Sequence, residues 1–241
     1  MNERNILVSG LKQINIELES YQLDQLLTYY YMIIEKNKVM NLTTITEFTE
    51  FMYKHFIDSL MLNRVCNLKA SQKVIDIGTG AGFPGIPLKI VYPWLDIVLL
   101  DSLNKRIKFL DEVILELGLE NIKGIHGRAE DYGCDHQYRE KFDLCVSRAV
   151  ANLTTLSEYC IPFVKKGGRF ISYKSGNVYE EMEQSREAIK ILGGTLEMND
   201  VFIIPGTDIK RTFAIIEKEK LTPKKYPRSA GKPLKEPIKN Y

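Results

Sequence analysis

The residues with the clearest chemical potential form a glycine-rich segment from Lys73 to Gly85, which reads KVIDIGTGAGFPG. Its apolar run breaks at Gly78, as a buried strand of a parallel sheet would, and Pro84 stands where a helix would begin. Glycine at a strand end lets a ligand approach the backbone, because there is no Cβ in the way and a positive φ costs little. The crevice at the carboxyl ends of parallel strands is the usual ligand site of an open α/β sheet. We therefore predict a ligand site at this strand end.

Two classes of ligand fit this segment. The residues from Gly80 to Gly85 match the G-x-G-x-x-G pattern of dinucleotide-binding loops. Asp76 extends the pattern to D-x-G-x-G-x-G, which resembles the first motif of class I methyltransferases that use S-adenosylmethionine (SAM). Asp101 ends the next predicted strand and could hold ribose hydroxyl groups of either ligand. The segment favours SAM over a dinucleotide, and a purely structural glycine turn is the third interpretation.

Alternating strands and helices are predicted to position the segment in an α/β sheet. The predicted strands after the segment are 97–101, 122–127, 142–147 and 169–174, and the predicted helices are 85–91, 104–117, 152–163 and 180–192. Two further strands, 195–204 and 212–217, are joined by a short Pro-Gly loop and must therefore be antiparallel. A reversed last strand resembles class I methyltransferases, so it favours SAM further.

Residues 1–70 precede the sheet and are predicted to be helical. A stripe of residues recurs at helical spacing and predicts a face packed on the sheet: Leu23, Leu26, Leu27, Tyr30, Ile33 and Ile34. Tyr21, Tyr29 and Tyr31 are expected to add aromatic surface. In a second helix, predicted over 51–62, His55 and Asp58 share one face. The simpler interpretation of this pair is a structural hydrogen bond, and the alternative is that it lines the site.

The composition is that of an ordinary globular protein. The chain has 241 residues, of which 44% are hydrophobic and 27% are charged. No apolar run approaches the roughly 18 residues of a membrane span, and the first residues lack the layout of a signal peptide, so we expect a cytoplasmic protein without a membrane partner. The four cysteines have no C-x-x-C spacing, so neither a metal site nor disulfides are predicted.

The last 21 residues carry six basic side chains against one acidic side chain, Glu236. Four prolines in the same stretch exclude a regular helix and predict an extended arm. Such an arm could follow RNA phosphates, or it could be a solvated tail, or its prolines and Tyr226 could pack on the N-terminal helices. We therefore predict three parts: an N-terminal helical extension (1–70), a SAM-binding domain (71–220) and a basic arm (221–241).

Six sequence blocks together resemble one family. They are Asn41-Leu-Thr43, His55-Phe-Ile-Asp58-Ser-Leu60, Asp76-Ile-Gly-Thr-Gly-Ala-Gly-Phe-Pro-Gly85, Gly127-Arg-Ala-Glu130, Ser147-Arg-Ala-Val150 and Thr222-Pro-Lys-Lys-Tyr-Pro-Arg228. The chain resembles the RsmG (GidB) family of bacterial 16S ribosomal RNA guanine-N7 methyltransferases over nearly its whole length. The resemblance implies a class I SAM-dependent fold with a reversed last strand, methylation of a single guanine (guanine 527), and 16S rRNA or the small ribosomal subunit as partner. No obligate protein partner is inferred.

The resemblance also implies roles for particular residues. SAM contacts are expected at Gly78, Phe83, Ala129, Glu130 and Arg148, and the residue patterns add Gly80 and Asp101. The catalytic candidates are Arg148 and Lys174, because arginine or lysine can donate to guanine O6 on the edge that presents N7. RNA contacts are expected at Arg128, Lys174, Lys224, Lys225 and Arg228.

The reaction asks little of the protein beyond positioning. Guanine N7 offers a lone pair and loses no proton on methylation, so no general base is required. Catalysis would rest on holding two reactants together and excluding water. Two other functions stay open at this point: an NAD-dependent oxidoreductase built on Gly80–Gly85, and an RNA-binding protein without catalytic activity.

Overall fold

A computed structural model describes residues 2–68, 71–148, 151–176, 178–197 and 201–238 of the chain. The predicted boundary at residue 70, the Ala149-Val150 end of one sequence block, and Lys239 lie outside these ranges. The three-part division of the chain stays a prediction. Within the described ranges, no helix has both the length and the apolar character that crossing a membrane requires.

The centre of the fold is a mixed sheet of eight strands in the order β3-β2-β1-β4-β5-β8-β6, with β7 also paired to β8. The strands are β1 (Lys73–Ile77), β2 (Asp96–Asp101), β3 (Ile122–His126), β4 (Phe142–Ser147), β5 (Val164–Ser175), β6 (Gly194–Glu197), β7 (Phe202–Ile203) and β8 (Lys210–Lys218). The first five strands pair in parallel. β8 runs antiparallel to β5, β6 and β7, so the predicted reversed last strand is confirmed.

The strand order reverses direction at β1. The chain builds outward from β1 through β2 to β3, then returns to place β4 on the other side of β1. The carboxyl ends of β1 and β4 therefore open on a topological switch point, where ligands bind in open α/β sheets. The glycine-rich loop begins at this point, directly after Ile77.

Five helices cover the sheet strands: α5 (Gly85–Val91), α6 (Asn104–Glu116), α7 (Ala129–Tyr132), α8 (Leu153–Cys160) and α9 (Tyr179–Ile191). A 3₁₀ turn, Ile161–Phe163, continues α8 into β5. The other predicted helices and strands agree with these bounds within one or two residues, with the 3₁₀ turn counted as part of the helix predicted over 152–163. The strand predicted over 195–204 corresponds to two short strands, β6 and β7, and β5 begins five residues earlier than predicted. The pairing between β4 and β5 changes register along the strands: Val164 pairs with Phe142, whereas Arg169 pairs with Leu144. The strand therefore carries a bulge over 165–168 that looks like a loop in the sequence.

The N-terminal helices are α1 (Glu3–Gln13), α2 (Ser20–Asn37) and a continuous helical run over 48–64. This run consists of α3 (Phe48–Phe51), a π-helix (Met52–Ile57), α4 (Asp58–Leu60) and a 3₁₀ turn (Met61–Arg64). The predicted helical face of α2 is confirmed, since Leu23, Leu26 and Ile33 are buried in the same core as one face of the sheet. The prediction that Tyr29 adds aromatic surface is wrong: Tyr29 is fully buried, and its hydroxyl donates to the carbonyl oxygen of Ala81 at 2.5 Å.

The C-terminal segment differs from the extended arm that the sequence predicts. Its residues Thr222, Pro227, Pro233 and Ile238 are buried, and a short helix, α10 (Lys232–Lys235), interrupts it. It packs on the α7–α8 side of the sheet, where Ile238 joins the apolar core on the sheet face opposite to α2 and Tyr226 packs against that core. Among the described residues, this core includes none from the N-terminal helices. The prolines exclude a long helix but do not prevent compact packing, because their carbonyl oxygens still accept hydrogen bonds.

Candidate cofactor and substrate site

A first cavity, the strand-end cleft, opens at the carboxyl ends of β1, β2 and β3 and has a volume of about 230 Å³. It is lined by Ile77, Gly78, Leu100, Asp101, Ser102, Gly127, Arg128, Ala129, Glu130, Ala151, Leu156 and Tyr159. Each strand contributes its last residues or the loop that follows. The predicted ligand site therefore corresponds to a real cleft in the structure.

The buried side chain of Asp76 fixes the shape of the glycine-rich loop through hydrogen bonds. One carboxylate oxygen, Oδ2, accepts hydrogen bonds from the Gly85 amide at 2.9 Å and from the Thr79 hydroxyl at 2.8 Å. Burial raises the pKa of Asp76 to about 7, against the opposing effect of these hydrogen bonds. A Cβ on Gly85 would lie 2.2 Å from Leu99 Cδ2 and 3.0 Å from Asp76 Oδ2, so only glycine fits where β1 and α5 meet. Asp76 thus holds the loop in shape.

Asp101 is the acidic group of the strand-end cleft. Its Oδ2 accepts from the Gly80 amide at 2.9 Å and from Arg106 Nη1 at 3.2 Å, and its Oδ1 accepts from the Leu103 amide at 2.9 Å. A carboxylate has about four acceptor positions, so capacity is left for a sugar hydroxyl. Gly78, with φ of +70°, bends the chain beside it. The cleft therefore fits the adenosine half of SAM: an acid for the ribose, and exposed backbone for close approach.

The structure separates the predicted cofactor residues into two groups. Gly78, Asp101, Ala129 and Glu130 line the strand-end cleft, and Gly80 orients Asp101 through its amide. Phe83 and Arg148 lie beyond that cleft. The Phe83 ring is buried and stacks on His55 with 4.6 Å between ring centroids, and the Arg148 guanidinium lies 4.9 Å from the Phe83 centroid.

A second cavity, the basic cleft, has a volume of about 620 Å³. Its lining residues are Ile45, Lys54, His55, Asp58, Arg148, Ala151, Asn152, Tyr173, Lys174, Ser175, Val178, Glu181 and Arg211. Ala151 lines both cavities, so the two clefts adjoin. A ligand in the strand-end cleft and a base in the basic cleft would meet at Ala151.

Arg148 is held rigidly at the wall of the basic cleft. Its Nη1 donates to the Lys54 carbonyl oxygen at 3.0 Å and to Asp58 Oδ2 at 3.1 Å, and its Nη2 donates to His55 Nδ1 at 2.9 Å. A guanidinium has five N–H donors, so these three bonds leave donors for a ligand. The fixed fork is suited to a guanine edge or a phosphate.

His55 serves as an acceptor for Arg148. Because arginine can only donate, the His55 ring carries its proton on Nε2, which lies 2.9 Å from the Thr43 hydroxyl. Burial, together with the positive charge of Arg148, lowers the pKa of His55 to about 3, so the ring is neutral at neutral pH. Of the two interpretations of His55 and Asp58, the structure supports a place in the wall of the site. Both residues meet at Arg148.

Asp58 joins two arginines. It is 1% exposed, and besides Arg148 it accepts a hydrogen bond from Arg211 Nε at 2.9 Å. Arg211 is a site residue that the sequence analysis missed. It enters the basic cleft because β8 runs antiparallel beside β5, which pairs Arg211 with Ser175. Arg211 directly precedes the reversed strand predicted over 212–217, and this basic residue at the strand's start is the signal that could have found it.

Lys174 also lines the basic cleft. Its Nζ donates to the Ala151 carbonyl oxygen at 2.9 Å and to Glu181 Oε1 at 2.7 Å. An ammonium group has three donors, so one stays available. Glu181 also accepts from the Leu153 amide, and it thereby links Lys174 to the start of α8.

The other predicted RNA-binding residues have different surroundings. Arg128 precedes α7 as its N-cap and lines the strand-end cleft, and it is exposed, as are Lys224 and Lys225. Arg228 is engaged: its Nε lies 2.8 Å and its Nη2 lies 2.6 Å from the Glu158 carboxylate. Part of the Arg228 guanidinium is thus committed to Glu158, so the structure does not leave Arg228 free in the way the arm prediction assumed. Among the described residues, no three His, Cys, Asp or Glu side chains are grouped to hold a metal ion.

The chain is similar to known proteins over most of its length. The family model for rRNA small subunit methyltransferase G matches residues 22–204. Ribosomal RNA small subunit methyltransferase G of Lachnoclostridium phytofermentans is 52% identical to the chain, covering 99% of the chain and 98% of that protein. The corresponding protein of Alkaliphilus oremlandii is 50% identical, covering 99% of the chain and 100% of that protein.

Solved structures show the same fold at low sequence identity. The YcgJ protein of Bacillus subtilis has a TM-score of 0.54 at 14% identity, over 69% of the chain and 100% of that structure. M. jannaschii TYW2, solved in complex with AdoMet, has a TM-score of 0.52 at 16% identity, over 67% of the chain and 74% of that structure. The fold is therefore the class I SAM-dependent methyltransferase fold, and the cofactor is SAM. The chain belongs to the rRNA small subunit methyltransferase G family of enzymes, which methylate ribosomal RNA of the small subunit.

Proposed function

We propose that this protein transfers a methyl group from SAM to N7 of a single guanine, guanine 527, in 16S ribosomal RNA. The observation that carries the proposal is the pair of adjoining clefts that share Ala151. One cleft has the acid and the glycine backbone that an adenosine needs. The other has Arg148, Lys174 and Arg211, which suit a guanine and its phosphates.

In the proposed arrangement Gly78, Asp101, Ala129 and Glu130 hold the adenosine half of SAM. When bound, SAM supplies the methyl group, and its sulfur takes the electron pair of the broken carbon–sulfur bond. The Arg148 guanidinium lies 4.9 Å from the centroid of the buried Phe83 ring, which helps to position it. Arg148 lines the basic cleft, and we place Phe83 and Arg148 at the methionine end of SAM.

The guanine is held by its O6 edge in the basic cleft. The free donor of Lys174 and the free donors of Arg148 can reach an acceptor there, and O6 lies beside N7 on the same edge. N7 donates its lone pair without losing a proton, so the neutral His55 and the ion-paired Asp58 are not needed as bases. Their part is to keep Arg148 and Arg211 in position.

The proposal is tested by labelled-methyl transfer. Protein, SAM with a labelled methyl group, and either naked 16S rRNA or small ribosomal subunits lacking the modification would be incubated, and the RNA digested to nucleosides. We expect label in 7-methylguanosine, at one position, with at least one of the two substrates. Label in another methylated nucleoside, or at many guanines, would contradict the proposal.

Replacing Lys174 by alanine is expected to slow methylation and leave SAM affinity nearly intact. Losing one charge-assisted hydrogen bond to the base costs roughly 1.5–3 kcal/mol, which corresponds to about ten- to a hundredfold in rate. The measurement is the single-turnover rate at saturating SAM, with SAM affinity from calorimetry. Lys190→Ala, an exposed lysine of α9, is the control. A Lys174→Ala rate equal to wild type would remove Lys174 from the site.

The exposed pair Lys224 and Lys225 is expected to contact RNA phosphates. In the double variant Lys224→Ala/Lys225→Ala, the slope of log affinity for RNA against log salt should fall by about 1.4 to 1.8, because each phosphate contact contributes roughly 0.7 to 0.9. SAM affinity should not change. Lys166→Ala/Lys190→Ala, two exposed lysines at the opposite end of the sheet from the clefts, is the matched control. If the two double variants gave the same salt-dependence slope, Lys224 and Lys225 would be solvated side chains without phosphate contacts.

A further inference from the structure

The C-terminal segment crosses the two helices that form one wall of the strand-end cleft. α7 supplies Ala129 and Glu130 to this wall, and α8 supplies Leu156 and Tyr159. The segment makes hydrogen bonds to both helices. Its position therefore bears on the cleft itself and not only on the surface.

The contact with α7 is made to a cleft residue directly. The backbone amide of Gly231 donates to Glu130 Oε1 at 2.8 Å. Glu130 is 6% exposed and lines the cleft. A buried carboxylate needs such a donor to hold one orientation, and here the donor comes from a residue 101 positions further along the chain.

The contacts with α8 are made to the residues next to the cleft-lining ones. Arg228 donates to the Glu158 carboxylate through its backbone amide at 2.8 Å and through its guanidinium, and Glu158 is 1% exposed. The Thr155 hydroxyl donates to the Pro233 carbonyl oxygen at 3.2 Å. Glu158 precedes Tyr159, and Thr155 precedes Leu156, so the segment fixes the backbone that carries both lining side chains.

We propose that residues 228–233 are a brace that positions the adenosine-binding wall of the cleft, with Arg228 and Gly231 as positioning residues for the cofactor. The proposal rests on the assignment of the strand-end cleft to SAM under Proposed function. The brace explains why a basic residue in the arm is turned inward: without Arg228, Glu158 would be a buried carboxylate without its cation, which is strongly unfavourable. None of residues 228–233 lines the basic cleft, so the brace is expected to act on cofactor affinity and not on the guanine.

The brace predicts a pattern of ligand affinities and kinetic constants that a general loss of protein stability would not produce. SAM, its demethylated product S-adenosylhomocysteine, and methylthioadenosine share the adenosine group and differ at the sulfur. A loosened adenosine wall weakens all three by the same factor. It raises the KM for SAM and leaves kcat at saturating SAM and RNA unchanged, since Arg148 and Lys174 keep their own partners.

The test uses Arg228→Ala and Arg228→Lys in the full chain, at a temperature where urea titration shows each variant folded. In Arg228→Ala we expect all three ligands to bind about tenfold more weakly, which is the effect of one lost hydrogen bond. In Arg228→Lys we expect part of the affinity for each ligand to be retained. Lys235→Ala, an exposed residue of α10, is the control and should bind as wild type. Wild-type affinities in a less stable Arg228→Ala protein would overturn the brace and leave Arg228 as a stabilising residue only.

Two further variants keep the outcome decisive. If Arg228→Ala does not fold, Glu158→Gln is used instead, because it removes the negative charge of the pair and keeps the shape of the side chain. We expect the three ligands to lose affinity by the same factor, and unchanged affinity would overturn the brace. Gly78→Val separates the two proposals. If Gly78→Val loses SAM and Arg228→Ala does not, the brace is wrong and the cleft assignment stands; if Gly78→Val retains SAM affinity, the cleft assignment itself is wrong.

Discussion

Replacing Gly78 by valine is expected to abolish SAM binding. Gly78 has φ of +70° and lines the strand-end cleft where β1 ends. A β-branched residue is strained in this conformation, and its side chain would enter space that the cofactor needs. We expect affinity to fall by more than about a hundredfold, equivalent to roughly 3 kcal/mol, in a calorimetric titration with SAM.

The control for this substitution is Gly118→Val. Gly118 also has a positive φ, +60°, at the end of α6, and a Cβ there would meet no atom of the described residues within 4 Å. The substitution Gly118→Val therefore introduces backbone strain at a position that does not line the cleft. Gly118→Val should lose stability in urea and keep its SAM affinity. SAM affinity that is undiminished in Gly78→Val would contradict the assignment of the glycine-rich loop to the cofactor.

Asp58→Asn is expected to have the second large effect, on the methylation rate more than on SAM affinity. The substitution removes the charge that holds Arg148 and Arg211, and removing one partner of a buried ion pair leaves the others uncompensated. Each guanidinium group then loses its ion-pair partner, and the donors that orient the guanine are held less firmly. We expect the single-turnover methylation rate to fall by about a hundredfold or more, since misplacement by 1 Å can cost that much.

The experiment needs evidence that the variant is folded. SAM should still bind, with a smaller loss of affinity than the loss of rate. Gly78 and Asp101 do not contact Asp58, whereas Arg148, at the methionine end of SAM, loses its ion-pair partner. Glu183→Gln, which breaks an exposed ion pair with Arg186 on α9, should change neither rate nor affinity. A folded Asp58→Asn protein with the wild-type rate would show that the ion-pair network does not position the reactants.

The sequence predicts the strand-end cleft well because its determinants are local. Apolar runs mark β1 and β2, and glycines and acids follow them within a few residues. Parallel strands of a βαβ unit then bring their carboxyl ends together without further information. Gly78, Asp101, Ala129 and Glu130 meet in one cleft for this reason.

The basic cleft is only partly predictable because its contacts are distant in the sequence. Arg148 is 90 residues from Asp58, and Arg211 is 153 residues from it. Helical spacing shows that His55 and Asp58 share a face, but it does not show which partner that face meets. The π-helix over Met52–Ile57 adds a local change of spacing that propensity does not reveal.

The C-terminal segment shows the limit of composition. Its charge and prolines predict a solvent-exposed arm, yet Arg228 is paired with the buried Glu158. Glu158 reads in the sequence as one more acidic residue on a helix. Only the packing of the segment on α8 shows that this carboxylate is buried and needs a cation.

The most direct test of the proposed function is single-turnover methyl transfer to 16S rRNA that carries either guanine or 7-deazaguanine at position 527. The two bases present the same O6 acceptor, but 7-deazaguanine has a carbon–hydrogen group in place of N7 and offers no lone pair there. The proposed function predicts complete transfer of label to the guanine RNA and none to the 7-deazaguanine RNA, with similar RNA affinities. Equal labelling of the two RNAs would contradict methylation at N7 of this guanine.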